Sequence, residues 1–159
     1  MTREQIKEFT FRTTQANHSG LILVLTDIVM TYINDSIACY EQDNTDGYMS
    51  NLELTLKATN ELISCFAPDN PQAREVISIL RYVYGRLVAG RAKRMPCDFE
   101  VCLSILTKLR VAFERLHELD DEEPVMKNTH QVYAGLTYGK GTLNESIQSL
   151  TPDKRGYFV

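Results

Sequence analysis

Residues 76–91 read VISILRYVYGRLVAGR, with apolar side chains at Val76, Ile77, Leu80, Val83, Tyr84, Leu87 and Val88. Gaps of three and four put these on one face of a helix, so the stretch predicts a buried amphipathic helix and carries no chemistry of its own. Gly85 and Gly90 each cost roughly 1 kcal/mol against Ala inside a helix, which marks them as points of close approach or fraying. Arg91, Lys93 and Arg94 suit the negative end of the helix dipole, and Pro96 then stops the helix.

Three more helices of the same kind flank it. Asn17 or Ser19 can cap the first, which runs to about Gln42 with a stripe of Leu21, Leu25, Ile28 and Tyr32 widened by Ile22, Val29, Ile33 and Ile37. The turn cluster DNTDG (43–47) precedes the second, from about Tyr48 to Phe66, with Met49, Leu52, Leu56, Ile63 and Phe66 inward. Asn70 and Pro71 read as the cap and first position of the helix quoted above. After Pro96, Asp98 can cap the last, which runs to about Glu118. Short connections make sequential helices run antiparallel. The predicted fold is therefore all-α: an antiparallel four-helix bundle over residues 16–119.

The flanks read differently. In residues 1–15 the segment EFTFRTT alternates Thr and Phe, a poor helix pattern, and predicts an extended N-terminal arm with Phe9 and Phe11 as its docking residues. Residues 120–159 form an acidic linker, DDEE before Pro124, and a C-terminal extension. That extension carries an aromatic patch at Tyr133, Leu136 and Tyr138, then Leu143, Ile147 and Leu150 at helical spacing, and a polar end.

The chain has 159 residues, enough for one domain with a sizeable core. A net charge of −4 argues against nucleic acid as the main partner. No run is read as the roughly 20 apolar residues of a membrane span, and no signal core opens the chain, so no membrane insertion and a cytoplasmic location are expected. Cys39, Cys65, Cys97 and Cys102 have no CxxC spacing and read as reduced core residues.

No HExxH, GxSxG or Walker loop is present, and the GKG at 139–141 lacks the rest of a phosphate loop. Glu114 to His117 spells a single ExxH where a di-iron bundle wants two. No catalytic residue, metal or cofactor is expected, and a non-enzymatic binding role follows.

Three segments together resemble the flagellar secretion chaperones of the FliS family. Its tyrosine-rich segment ending in Arg-Leu is matched by Tyr82, Val83, Tyr84, Gly85, Arg86 and Leu87. Its paired leucines, Leu-Arg and Ala before an aromatic residue are matched by Ile105, Leu106, Leu109, Arg110, Ala112 and Phe113. Its Leu-rich first helix is similar to LILVLTD at Leu21 to Asp27. The resemblance covers roughly residues 8–118. Thr26 stands where the family favours Tyr, His18 where it often has Pro, and Phe113 where it has Trp. Gly90 and Arg91 replace a small residue and Asn.

The resemblance implies a cytoplasmic export chaperone that binds the C-terminal region of flagellin and prevents premature polymerisation, with the export apparatus or flagellar regulators as further partners. Leu52, Leu56, Tyr82, Tyr84 and Leu87 are the expected partner-binding residues. Phe9 and Phe11 are expected to cap the groove when no client is present. The rival reading is a helical interaction module regulating another assembly or transcription factor.

Overall fold

A computed structural model describes residues 1–126; the expectations for the aromatic patch and the later tail lie outside them. Among the described residues the chain is all-helical, with five helices: α1 Arg3–Gln15, α2 His18–Glu41, α3 Thr45–Ser64, α4 Pro71–Lys93 and α5 Phe99–His117. Asparagine starts three of them. Asn17 Oδ1 accepts the Gly20 N–H at 3.0 Å, Asn44 Oδ1 the Gly47 N–H at 2.9 Å, and Asn70 Oδ1 the Gln72 N–H at 2.9 Å, satisfying amides that helix starts leave open. Asp98 holds the cap position of α5 in a left-handed conformation but makes no capping bond; its carboxylate turns to Arg86 at 2.9 Å instead.

The extended N-terminal arm is corrected: this segment is helix α1. A capping box opens it, Thr2 Oγ1 accepting from the Gln5 N–H at 3.2 Å and Gln5 Oε1 from the Thr2 N–H at 2.8 Å. The threonines that argued against a helix turn their hydroxyls onto earlier carbonyls, Thr10 to Ile6 and Thr13 to Phe9, each at 2.7 Å. Packing against α2 then outweighs weak intrinsic propensity.

Helix α2 packs against α1, α3 and α5; α3 also meets α4, and α4 meets α5. Its most buried line is Ile22, Val29 and Ile33, while Leu21, Leu25, Ile28 and Tyr32 are half-buried. The expected stripe is thus turned, because three neighbours share the helix. By length and composition α2 is apolar enough to cross a membrane, which corrects the expectation that no run reaches that size. Within the fold the helix packs against three others, and 39 % of its apolar stretch is buried.

Val29, Ile33, Leu52, Val83, Leu87 and Leu106 form the centre of the core, all at 0 % exposure. Buried hydroxyls are absorbed locally, Thr26 onto the Ile22 carbonyl at 2.8 Å and Thr59 onto that of Thr55 at 2.7 Å. Among the described residues no buried side-chain nitrogen or oxygen lacks a partner, as a well-ordered interior requires.

Where α4 gives way to α5, the core is locked by an aromatic ring over a bare backbone. A Cβ built on Gly90 would come within 2.6 and 2.7 Å of Phe99 ring carbons. Phe99 stacks on Tyr48 with centroids 6.4 Å apart, and the Tyr48 hydroxyl donates to the Gly90 carbonyl at 3.0 Å. Gly90 is therefore a close-approach position. Gly85 is not, since among the described residues nothing beyond its own helix backbone and chain neighbours lies within 4 Å of a Cβ placed there.

Candidate functional site

The seam between α4 and α5 is the loosest of those joining α2 to α5, and an open groove of about 550 Å³ lies along it. Ser78, Ile79 and Tyr82 of α4 face Ile105, Lys108 and Leu109 of α5. Ile79 is 39 % exposed and Tyr82 47 %. The Arg86 guanidinium sits 5.2 Å from the Tyr82 ring centroid and is held there by Asp98. This cation–π contact fixes the ring at the groove edge. The walls are apolar, and polar groups enter only through Ser78, Lys108 and the tyrosine hydroxyl. Such a trough takes an apolar helix face rather than a small polar substrate.

Of the residues expected to contact a partner, only Tyr82 lines this groove. Leu52, Leu56 and Leu87 are corrected to core positions, exposed by 6 % or less. The i, i+4 spacing that made them conspicuous is the spacing of the buried stripe itself. Tyr84 is half-buried against the core. It stands two residues from Tyr82, which on a helix points it to another side. The five residues do not form one surface.

Phe9 and Phe11 are separated for the same reason. Phe9 lies with Ile6, Ile28, Tyr32 and Met126 in a cleft between α1 and α2. Phe11, 46 % exposed, lies across the helix in a second cleft with Leu23, Arg110 and Glu114. Neither cleft shares a residue with the α4–α5 groove, so the two rings stand apart from it.

Helix α1 is held instead by charge. Arg12 Nη2 meets Asp27 Oδ2 at 2.7 Å, Arg110 Nε meets Asp27 Oδ1 at 2.7 Å, and Arg110 Nη1 reaches Glu114 at 3.2 Å. One half-buried carboxylate thus joins α1, α2 and α5. The bond to Asp27, chiefly, raises the Arg110 guanidinium above its ordinary value. The amino group of Met1 meets Asp35 further along α2. The stretch after α5 ties down the α1–α2 junction, with Asp120 O accepting from Asn17 Nδ2 at 3.3 Å and the Val125 N–H donating to Ala16 O at 3.0 Å.

The remaining chemical candidates are occupied. His117 is half-buried with Nδ1 2.7 Å from Ser19 Oγ. Its ExxH partner Glu114 is paired with Arg110. Ser19, chiefly, holds the Asp120 carboxyl below its usual range. Among the described residues no three His, Cys, Asp or Glu side chains stand where they could share a metal ion. Burial pushes the Cys102 thiol up to about 11 and raises that of Cys65, disfavouring the reactive thiolate.

Sequence reasoning missed Ile79, Ile105 and Lys108 as groove residues. The available signal was Ile79: it is apolar, it stands three residues before Tyr82, and both fall outside the buried stripe. No family model matches the chain, and a search of curated proteins returns no match.

Proposed function

We propose that α2 to α5 form an antiparallel four-helix bundle and that the chain is a non-enzymatic export chaperone. Its α4–α5 groove holds an amphipathic segment of another protein. In the FliS reading that segment is the C-terminal region of flagellin, bound in the cytoplasm before secretion. The bundle draws support from helix ends that meet: Tyr48 at the start of α3 bonds Gly90 near the end of α4, and Ser19 at the start of α2 meets His117 at the end of α5.

The carrying observation is the exposed Tyr82, which belongs to the tyrosine segment of the resemblance and lines a strongly apolar groove. An aggregation-prone segment gains by hiding its apolar face there, at roughly 1.5–3 kcal/mol per large side chain fully buried. Part of that gain is lost to ordering the segment. No nucleotide is needed for such a cycle, because release can follow handover to the export machinery.

Titration calorimetry with the C-terminal region of the same organism's flagellin tests this. Stoichiometric binding is expected, weakened about tenfold or more by Tyr82→Asp, since a charge in an apolar contact costs well over 1.4 kcal/mol. No binding by the unaltered chain refutes the reading. Binding of some other assembly or transcription factor through Tyr82, with flagellin inert, favours the regulatory-module reading.

A further inference from the structure

Helix α5 carries two apolar lines, and the core uses one. Phe99, Cys102, Leu106 and Phe113 are buried in it. A second line runs Ile105, Leu109, Ala112, Leu116 and, in the turn beyond the helix, Leu119. Its steps alternate four and three. That is the seam of a coiled coil, which drifts only about 20° per seven residues and so stays on one side of the helix. Bonds from the Leu119 N–H to Leu116 O at 3.2 Å and from the Asp120 N–H to His117 O at 3.1 Å keep the chain coiled to its end. Ile105 and Leu109 are half-buried and line the α4–α5 groove. Past the groove's lining Ala112 is exposed, with Leu116 at 57 % and Leu119 at 82 %. An apolar stripe on a helix marks a face that packs, and among the described residues nothing covers this outer half.

Charge on the free edge of the seam narrows the occupant. Lys108 stands one residue before Leu109 and Arg115 one before Leu116, so both hold the same flanking position of the heptad. Both are exposed, and neither forms an ion pair among the described residues. A second copy lying antiparallel on this seam would set like flanks together, cation against cation, which is repulsive. A parallel copy would set them against Leu106 and Phe113, which are buried and uncharged. A different helix with carboxylates on that flank is attracted. The other edge of the groove differs: Glu75 on α4 stands four residues before Ile79 and seven before Tyr82. Acidity is therefore favoured on the α5 side alone.

We propose that the α5 seam from Ile105 to Leu119 docks a single partner helix, apolar at heptad spacing and acidic on the flank that lies over Lys108 and Arg115. The helix lies beside Tyr82 at one end and reaches Leu119 at the other. At 1.5 Å per residue the contact is about 21 Å long, or about four turns. The proposal rests on the groove reading above; it adds the outer half of the surface and the periodicity and charge of what binds there.

The test uses the full chain and two synthetic peptides of about 21 residues, with Leu at both seam positions of each heptad. One carries Glu at the flanking positions and the other Lys, and the like charges keep each peptide from pairing with itself. The Glu peptide is expected to bind about tenfold or more tighter at low salt, with the margin shrinking as salt is raised, and to gain helicity as it binds. Leu116→Gln with Leu119→Gln is expected to weaken it about tenfold or more by removing apolar contact. The chain should melt no lower, because both positions are exposed and Gln is a good helix former. Val111→Gln, at a 43 % exposed position of the same helix but off the seam, is expected to change nothing. Lys108→Glu with Arg115→Glu is expected to reverse the preference.

Equal binding of the two peptides overturns the proposal, as does binding of neither or an affinity untouched by the double leucine substitution. An equal loss in Val111→Gln overturns it too, since the contact would then not follow the seam. Self-association of the chain that the double leucine substitution abolishes overturns it in favour of a second copy. Competition by phosphatidylserine vesicles overturns it in favour of a membrane surface. If the Glu peptide binds as described while flagellin does not, only the chaperone reading falls. If flagellin binds but ignores the double leucine substitution, only this inference falls.

Discussion

Two alanine substitutions on α4, five residues apart, isolate the close packing at the end of that helix. Gly85→Ala and Gly90→Ala add the same methyl group at helical positions and gain the same propensity, roughly 1 kcal/mol. The difference between them is therefore packing alone. At Gly85 the methyl meets nothing; at Gly90 it lands 2.6 Å from the Phe99 ring and 3.2 Å from the Met95 carbonyl. Carbon atoms prefer about 3.5–4.0 Å, so the ring must retreat by roughly an ångström.

Phe99 has little room to retreat, being 2 % exposed and stacked on Tyr48. Overpacking of this kind costs about 1–3 kcal/mol. Gly85→Ala is then expected to raise stability by roughly 0.5–1 kcal/mol, and Gly90→Ala to fall about 1–3 kcal/mol below it. At about 2–4 °C per kcal/mol for a chain of this size, thermal unfolding followed by circular dichroism resolves the gap. Equal melting of the two variants refutes the Phe99 lock.

Tyr48→Phe should cost about 0.5–1.5 kcal/mol by removing one bond to the Gly90 carbonyl, which still accepts from the Met95 N–H at 3.1 Å. Burial pushes the Tyr48 hydroxyl up to about 12, whereas the unfolded chain ionises near 10. Stability from this group is whole below pH 10 and falls between pH 10 and 12 as the unfolded state loses its proton first; urea titrations should show a shallower decline there in Tyr48→Phe than in the parent. Asp27→Asn should weaken the ion pair that ties Arg12 of α1 to α2, so that hydrogen exchange quickens through residues 3–15 while the centre of α3 keeps its protection. Deleting residues 1–14 should leave groove affinity for an amphipathic peptide unchanged, because the clefts around α1 and the groove have no residue in common. A rise in affinity would restore the capping role of Phe9 and Phe11.

Most of the helical pattern was legible in the sequence. Asn70 before Pro71 marks the start of α4, and the turn cluster after Glu41 separates α2 from α3, because caps and breakers act within a few residues. Helix α1 was hidden for a reason that also lies in its residues. Its threonines are unfavourable in an isolated helix, and only docking on α2 with the Arg12–Asp27 pair reverses the balance. The site was harder to read. Periodicity reports the most regular apolar line, which in α3 and α4 is the core, so Leu52, Leu56 and Leu87 stood out and are buried. The groove is built from residues left over from that line, Ile79 and Tyr82 above all. Their meaning depends on how far apart α4 and α5 come to rest, a distance that no spacing within one helix encodes.

The bond from Val125 to Ala16 has a practical side. Ile6 and Met126 line one cleft, so positions far apart in the chain come within reach of each other. A dye at residue 6 with a quencher at residue 126 would brighten when α1 swings away and dim when it returns, reporting each opening in real time without a probe near Tyr82.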